Sequence, residues 1–119
     1  MVLSGVRLDS GDPWLTIKSS HRPAYERARA NLPEGVDEAI LLNERGEICE
    51  GTITSIFLQR DGVLLTPPQS SGLLPGVLRQ SLLDAGAARE AVLRRDDLAQ
   101  GELLMGNALR GLIPARLVG

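Results

Sequence analysis

The hydrophobic positions of this chain fall in short runs and alternations rather than in long helical stripes. Val2-Leu3-Ser4-Gly5-Val6-Arg7-Leu8 alternates well enough to predict a strand, and Asp9-Ser10-Gly11-Asp12-Pro13 follows as a loop rich in turn residues. Trp14-Leu15-Thr16-Ile17-Lys18 predicts a second short strand. Pro23 suits a first helical turn, and Tyr25, Ala28 and Leu32 share one face of a helix over Ala24–Leu32, which places Tyr25 in the core. Pro33-Glu34-Gly35 closes that helix. Ala39 to Leu42 is apolar, too short for a helix and preceded by acids. Asn43-Glu44-Arg45-Gly46 then turns the chain, with Gly46 free to take positive φ, and Glu47-Ile48-Cys49-Glu50 returns as the second arm of a hairpin.

The return arm breaks at Gly51 and resumes as Ser55-Ile56-Phe57-Leu58. A tight turn at Arg60-Asp61-Gly62 joins it to Val63-Leu64-Leu65, a second hairpin. Thr66-Pro67-Pro68 ends that strand, and Gln69 to Gly72 reads as an exposed loop. A helix begins at Val77, with Leu78, Leu82 and Ala85 on one face and Gly86 as its C-cap. Ala88 to Leu93 alternates as a strand, Arg94 to Ala99 reads as a short capped helical turn, Glu102 to Asn107 as a strand, and Ala108 to Arg116 completes the chain. Two hairpins and two amphipathic helices predict an α+β fold, largely antiparallel, with helices Ala24–Leu32 and Val77–Ala85 packed outside the sheet.

Composition narrows the chemistry. The 119 residues suit one domain with a single core. Charged residues are 24% and the net charge is −2, which gives no reason to expect nucleic acid or an acidic membrane. The one cysteine, Cys49, excludes an internal disulfide and suits a reducing, cytoplasmic setting, and no run is long enough to span a membrane. One His and one Cys argue against a zinc site, and His21 has no Gly-x-Ser-x-Gly turn to serve. Lysine, glutamate, arginine and backbone amides remain, an inventory suited to a cofactor that brings its own reactivity.

Three features carry candidate chemistry. Lys18 is the only lysine in a chain that otherwise uses arginine, and it follows an apolar strand directly; lysine can lose its proton and form a Schiff base, which arginine cannot. Glu50 stands beside the apolar pair Ile48-Cys49, where a carboxylate needs a cationic partner. Gly76 lets a ligand approach the backbone at the start of a helix, where free amides bind anions.

Asp-Glu-Ala-Ile-Leu-Leu-Asn at Asp37–Asn43, Gly-Glu-Ile-x-Glu-Gly-Thr at Gly46–Thr52, Leu-Thr-Pro-Pro at Leu65–Pro68 and Leu-Pro-Gly-Val-x-Arg at Leu74–Arg79 resemble, in order and spacing, the class IV aminotransferases. These are the fold-type-IV pyridoxal-phosphate enzymes, which include branched-chain and D-amino-acid aminotransferases and aminodeoxychorismate lyases. The resemblance runs from about Val2 to Arg116. It implies a curved pseudo-barrel sheet with flanking helices, the large C-terminal domain of such enzymes, with the usual N-terminal domain absent.

The resemblance also assigns roles. Ile17-Lys18-Ser19-Ser20-His21-Arg22 is similar to the segment whose lysine carries pyridoxal 5'-phosphate and acts as the base. Glu50 would face the ring nitrogen of the cofactor, which answers the question of its cation. Gly76 and the amides of Val77 and Leu78 would hold the phosphate, although Leu78 lacks the hydroxyl common at its place. Ala108 stands where transaminases have a phosphate-binding threonine, so only its amide could help, and Ser55 replaces a usual asparagine. Arg22 or Arg110 could bind a substrate carboxylate. Met105-Gly106-Asn107-Ala108-Leu109 followed by Ile113-Pro114-Ala115-Arg116, together with Arg22, looks most like the lyase branch, which converts 4-amino-4-deoxychorismate to 4-aminobenzoate, a folate precursor, and pyruvate. Transamination of branched-chain or D-amino acids and an inactive truncated domain are the alternatives. The expected partner is a small amino substrate, with a homodimer at full length.

Overall fold

Successive residues of a strand face opposite ways, and along much of this chain both directions are apolar. In the computed structural model, which describes residues 1–12 and 22–118, two stacked sheets between two helices satisfy that pattern. The elements run β1 (Val2–Leu8), α1 (Pro23–Ala30), β2 (Ala39–Asn43), β3 (Ile48–Gly51), β4 (Ser55–Arg60), β5 (Val63–Thr66), α2 (Val77–Asp84), β6 (Arg89–Glu90), β7 (Glu102–Asn107) and β8 (Gly111–Pro114). One sheet has the order β1-β2-β3 and the other β6-β5-β4-β7-β8. Pairing is antiparallel except where β1 meets β2 and β5 meets β6.

Alternation assigns the layers. Ile40 and Leu42 of β2 and Ile48 of β3 meet Ile56 and Leu58 of β4, Leu65 of β5 and Leu103 of β7 in a central core between the sheets. The intervening residues face outward: Leu41 and Cys49 pack with Leu8, Tyr25 and Ala28 under α1, and Phe57 and Leu64 pack with Ala88 and with Leu82 and Leu83 of α2. Every residue of β2 is buried because both of its faces are covered.

The largely antiparallel α+β fold with outer helices is as expected, but among the described residues the strands form two sheets and not one closed barrel. Both hairpins stand as read, with Gly46 at φ +75° and an Asp61-Gly62 turn in which both residues have positive φ, the geometry that matches strand twist. Gly86, at φ +72°, ends α2 in a complete Schellman arrangement: Ala87 N–H reaches Leu82 O and Gly86 N–H reaches Leu83 O.

Three local expectations are corrected, and one stretch left without an assignment gains one. Gln69 to Gly72 is not an exposed loop: Gln69–Ser71 is a 3-10 turn, and Ser71 is buried because its carbonyl accepts from Asn43 Nδ2 at 2.8 Å and from the Cys49 thiol at 3.2 Å. On α2, Leu78 and Leu82 are half-buried and Ala85 is exposed, while the buried residue is Arg79. Only Arg89–Glu90 of the Ala88–Leu93 alternation pairs as a strand, because β5 offers it just Leu65 and Thr66. The tail after Ala108 supplies a further strand, β8, against β7. The expected strand Trp14–Lys18 lies outside the described residues.

Candidate active site

The centre of the site is made by a break in a strand. β3 ends at Gly51, and the chain bends through Thr52-Ile53-Thr54 before β4, closed by Gly51 N–H to Thr54 O at 2.8 Å. Glu38, only 2% exposed, fills the bend. Its Oε1 accepts from the amides of Ala39 (2.9 Å) and Thr52 (2.8 Å) and from the Thr52 hydroxyl; its Oε2 accepts from the Ile53 amide (3.2 Å) and the Thr54 hydroxyl (3.0 Å). A side chain on residue 51 would bring its Cβ within 2.8 Å of that carboxylate, so glycine is required there by crowding.

The bend leaves Glu50 at the end of β3, 6% exposed and paired in register with Leu41. Its Oε2 accepts three hydrogen bonds: from the Tyr25 hydroxyl at 2.6 Å, the Leu74 amide at 2.9 Å and Arg22 Nη2 at 3.4 Å. Arg22 also stacks over the Tyr25 ring, its Cζ 3.5 Å from the centroid. Among the described residues Oε1 has no recorded partner. Burial pushes the Glu50 carboxyl up from the ordinary 4.5 to about 7, against the opposing pull of Tyr25, the Leu74 amide and Arg22. The Tyr25 phenol is pushed up strongly, first by burial and then by the Glu50 charge, and so keeps its proton as a donor.

The start of α2 forms another part of the site. Gly76 is its N-cap in extended geometry with no capping side chain, and the first amide with an intrahelical partner is that of Gln80, to Gly76 O at 2.9 Å. Among the described residues the amides of Val77, Leu78 and Arg79 are therefore the unpaired donors of the first turn. The helix is held in place by Arg79, whose Nη2 donates to Pro67 O (3.1 Å) and Glu90 Oε2 (2.7 Å), while its buried Nε has no partner among the described residues. The Ser55 Oγ lies beside Gly76, 3.3 Å from where a Cβ would sit. The remaining wall is the β7–β8 turn, where Asn107 Oδ1 accepts from the Leu109 and Arg110 amides (3.1 and 2.9 Å) and Asn107 Nδ2 donates to Ile53 O (3.2 Å).

These parts enclose a cleft of about 420 Å³ lined by Arg22, Glu50, the Thr52–Ser55 bend, Leu74, Gly76–Leu78 and Asn107–Leu109. Glu50, Gly76, Val77, Leu78, Ala108 and Arg22, named from sequence at widely separated positions, thus line one cavity. Arg110 is exposed and does not line it. Lys18 lies outside the described residues. The cation that meets Glu50 within the described residues is Arg22. Among those residues no group of three His, Cys, Asp or Glu side chains could hold a metal ion.

Sequence reasoning passed over Tyr25, Glu38 and Asn107 as site residues. Tyr25 is in the core as its periodicity indicates, yet its hydroxyl reaches Glu50, and no local pattern announces a bond across 25 positions. Glu38 carried a usable signal, since an acid directly before a buried strand and ahead of a Gly-Thr-x-Thr bend has amides and hydroxyls to collect.

The amino-transferase class IV family profile matches residues 1–118. A Schizosaccharomyces pombe protein named provisionally as an aminodeoxychorismate lyase is 31% identical over 108 residues, covering 87% of this chain and 46% of its own length. The branched-chain-amino-acid aminotransferase of Escherichia coli is 36% identical over 90 residues, 71% of this chain and 29% of that enzyme. A crystal structure from Mesorhizobium loti, named provisionally as an amino-acid aminotransferase, superposes with a TM-score of 0.94 at 53% identity, over 98% of this chain and 58% of that one. The chain therefore spans between 29% and 58% of the length of these relatives. Enzymes of the family depend on pyridoxal phosphate. By a match that takes in nearly every residue, this chain belongs to the class IV aminotransferases.

Proposed function

We propose that this chain is the cofactor-gripping half of a pyridoxal-phosphate enzyme, and that the whole protein is a lyase acting on 4-amino-4-deoxychorismate to give 4-aminobenzoate and pyruvate. The observation that supports the cofactor reading is the pairing, in one cleft, of a buried carboxylate having one oxygen unpartnered among the described residues with unpaired amides at a helix start. That donor set fits the group: a carboxylate holds a protonated ring nitrogen, and helix-start amides hold a phosphate.

Glu50 would hold the ring nitrogen; Gly76 with the amides of Val77 and Leu78 would hold the phosphate, with the Ala108 amide and the Ser55 hydroxyl adding to it. Lys18 would hold the carbonyl end and move the proton at the amino-bearing carbon of the substrate. Bound there, pyridoxal phosphate supplies an electron sink for the pair left at that carbon. Burial alone disfavours a charged Glu50; the guanidinium of Arg22 and a ring N–H would together restore it. The apolar side chains Ile53, Val77 and Leu109 at the cleft would limit water around the reacting carbon.

The lyase assignment rests on the Asn107-Ala108-Leu109 wall, which is similar to that branch, and on the S. pombe relative. Amino-acid transamination is the second reading, favoured by the M. loti and E. coli relatives. In either case the reading is of a cytoplasmic enzyme, homodimeric at full length. The full-length protein, offered aminodeoxychorismate in one assay and a branched-chain amino acid with an oxo acid in another, is expected to release 4-aminobenzoate and pyruvate in the first and to leave the second unchanged. Consumption of the amino acid alone would replace the lyase by the transaminase. The cofactor reading is tested separately by absorbance titration with pyridoxal phosphate: Lys18→Ala should abolish the bound-cofactor band, and its persistence would count against the assignment of Lys18.

A further inference from the structure

Three donors converge on a single oxygen of Glu50, and two of them come from residues packed on each other. The Tyr25 hydroxyl approaches Oε2 to 2.6 Å, Arg22 Nη2 to 3.4 Å, and the guanidinium lies flat on the phenol ring at 3.5 Å. The Leu74 amide completes the set at 2.9 Å. A carboxylate on a flexible stem would otherwise rotate and share its donors between both oxygens. Among the described residues all three donors fall on Oε2, and Oε1 of this cleft-lining residue has none.

We propose that Tyr25 and Arg22 form a positioning pair for Glu50, fixing the carboxylate through Oε2 so that Oε1 is presented to the ring nitrogen of the cofactor. This rests on the reading that Glu50 receives that nitrogen. The two residues divide the task. The phenol, buried among Leu8, Ala28, Leu41 and Cys49, cannot swing away and gives a directional bond without adding charge. Arg22 supplies the charge, and its stacking on the ring fixes where that charge sits. A tyrosine needed only to fill the layer under α1 would be replaced by phenylalanine at little cost, since the ring, the stacking and the apolar contacts all remain. The hydroxyl is therefore what distinguishes a positioning role from packing.

The titratable and charged groups facing Glu50 among the described residues are Arg22 and Tyr25 from the α1 side and Cys49 from its own strand. The test follows the Glu50 carboxyl by 13C NMR in the cofactor-free chain and measures pyridoxal phosphate affinity by titration, for the native chain, Tyr25→Phe, Arg22→Gln, Arg22→Lys and Glu50→Gln, with a urea melt of each. Tyr25→Phe and Arg22→Gln should each raise the titration midpoint of Glu50 and weaken cofactor binding by roughly tenfold, and Arg22→Lys should recover part of the loss. If Tyr25→Phe does not fold, Arg22→Gln, at a partly exposed position, carries the same test. An unshifted midpoint and an affinity within twofold of native in the folded variants, with Glu50→Gln still weakening binding, would overturn the positioning pair and leave the cofactor reading standing. Unchanged affinity in Glu50→Gln would overturn the reading itself, and the pair with it.

Discussion

Glu38 and Gly51 are in contact as plug and socket: the carboxylate fills the space where any side chain at position 51 would begin. The bend that brings Glu50 to the cleft therefore depends on an acid thirteen residues away from the glycine that admits it. Replacing Gly51 by Ala is expected to destabilise the chain by about 1–3 kcal/mol, the usual range for overpacking in a well-packed interior. Glu38→Ala, which strands the Thr52 and Ile53 amides, should cost about 3–5 kcal/mol. Urea denaturation of both variants checks these values, and both should also lose pyridoxal phosphate affinity.

Glu50 gives the cofactor-free chain a pH dependence of definite sign. Its folded carboxyl titrates at about 7, above the ordinary 4.5, so the folded state holds this proton longer than the unfolded state does. Stability from this group is fully present below about 4.5 and is lost as the pH rises through about 7, by at most about 3 kcal/mol. Urea melts at pH 5 and pH 8 should show the decline in the native chain and lose most of it in Glu50→Gln. Saturating pyridoxal phosphate should reduce the decline, because a cationic ring nitrogen favours the charged carboxylate.

Cys49 should be inert. Burial first, and the Glu50 charge second, push its thiol up to about 12, and its Sγ is engaged with Ser71 O. A disulfide exchange reagent at pH 7.5 should leave the folded chain unlabelled and label one thiol per chain in guanidinium. Labelling of the folded chain at the rate of a free thiol would show that the layer under α1 opens readily.

The Arg79–Glu90 pair should behave asymmetrically. Glu90 is half-exposed and Arg79 is almost fully buried, so Glu90→Ala leaves a guanidinium without its carboxylate inside the protein. A loss of about 2–3 kcal/mol is expected, more than a surface acid normally contributes. Arg79→Met, which removes the charge and keeps the stem, should cost less than Arg79→Ala in the same melts.

Much of the fold was legible because strand alternation is a local signal and its two faces map onto two layers. Ile56-Phe57-Leu58 tells the reader that both sides are covered, and they are. What failed was set by distant partners. Ser71 looks like loop surface until Asn43 and Cys49 claim its carbonyl, and nothing local marks Arg79 as the residue of α2 that Pro67 and Glu90 would enclose. The site behaved likewise: Glu50, Gly76, Val77, Leu78 and Ala108 could be named from motif resemblance and line one cleft, whereas the bonds of Tyr25 and Glu38 join parts of the chain whose proximity only the tertiary structure creates.

Tyr25 belongs at once to the apolar layer beneath α1 and to the hydrogen bonds of Glu50. Substitutions at Leu8, Ala28 or Leu41 that look interchangeable by volume would tilt the phenol, and the carboxylate would move with it. With Glu50 in the role proposed for it, drift in that layer would be screened by cofactor binding as well as by folding, and a designer repacking it for thermal tolerance would be moving the carboxylate without touching a single residue of the cleft.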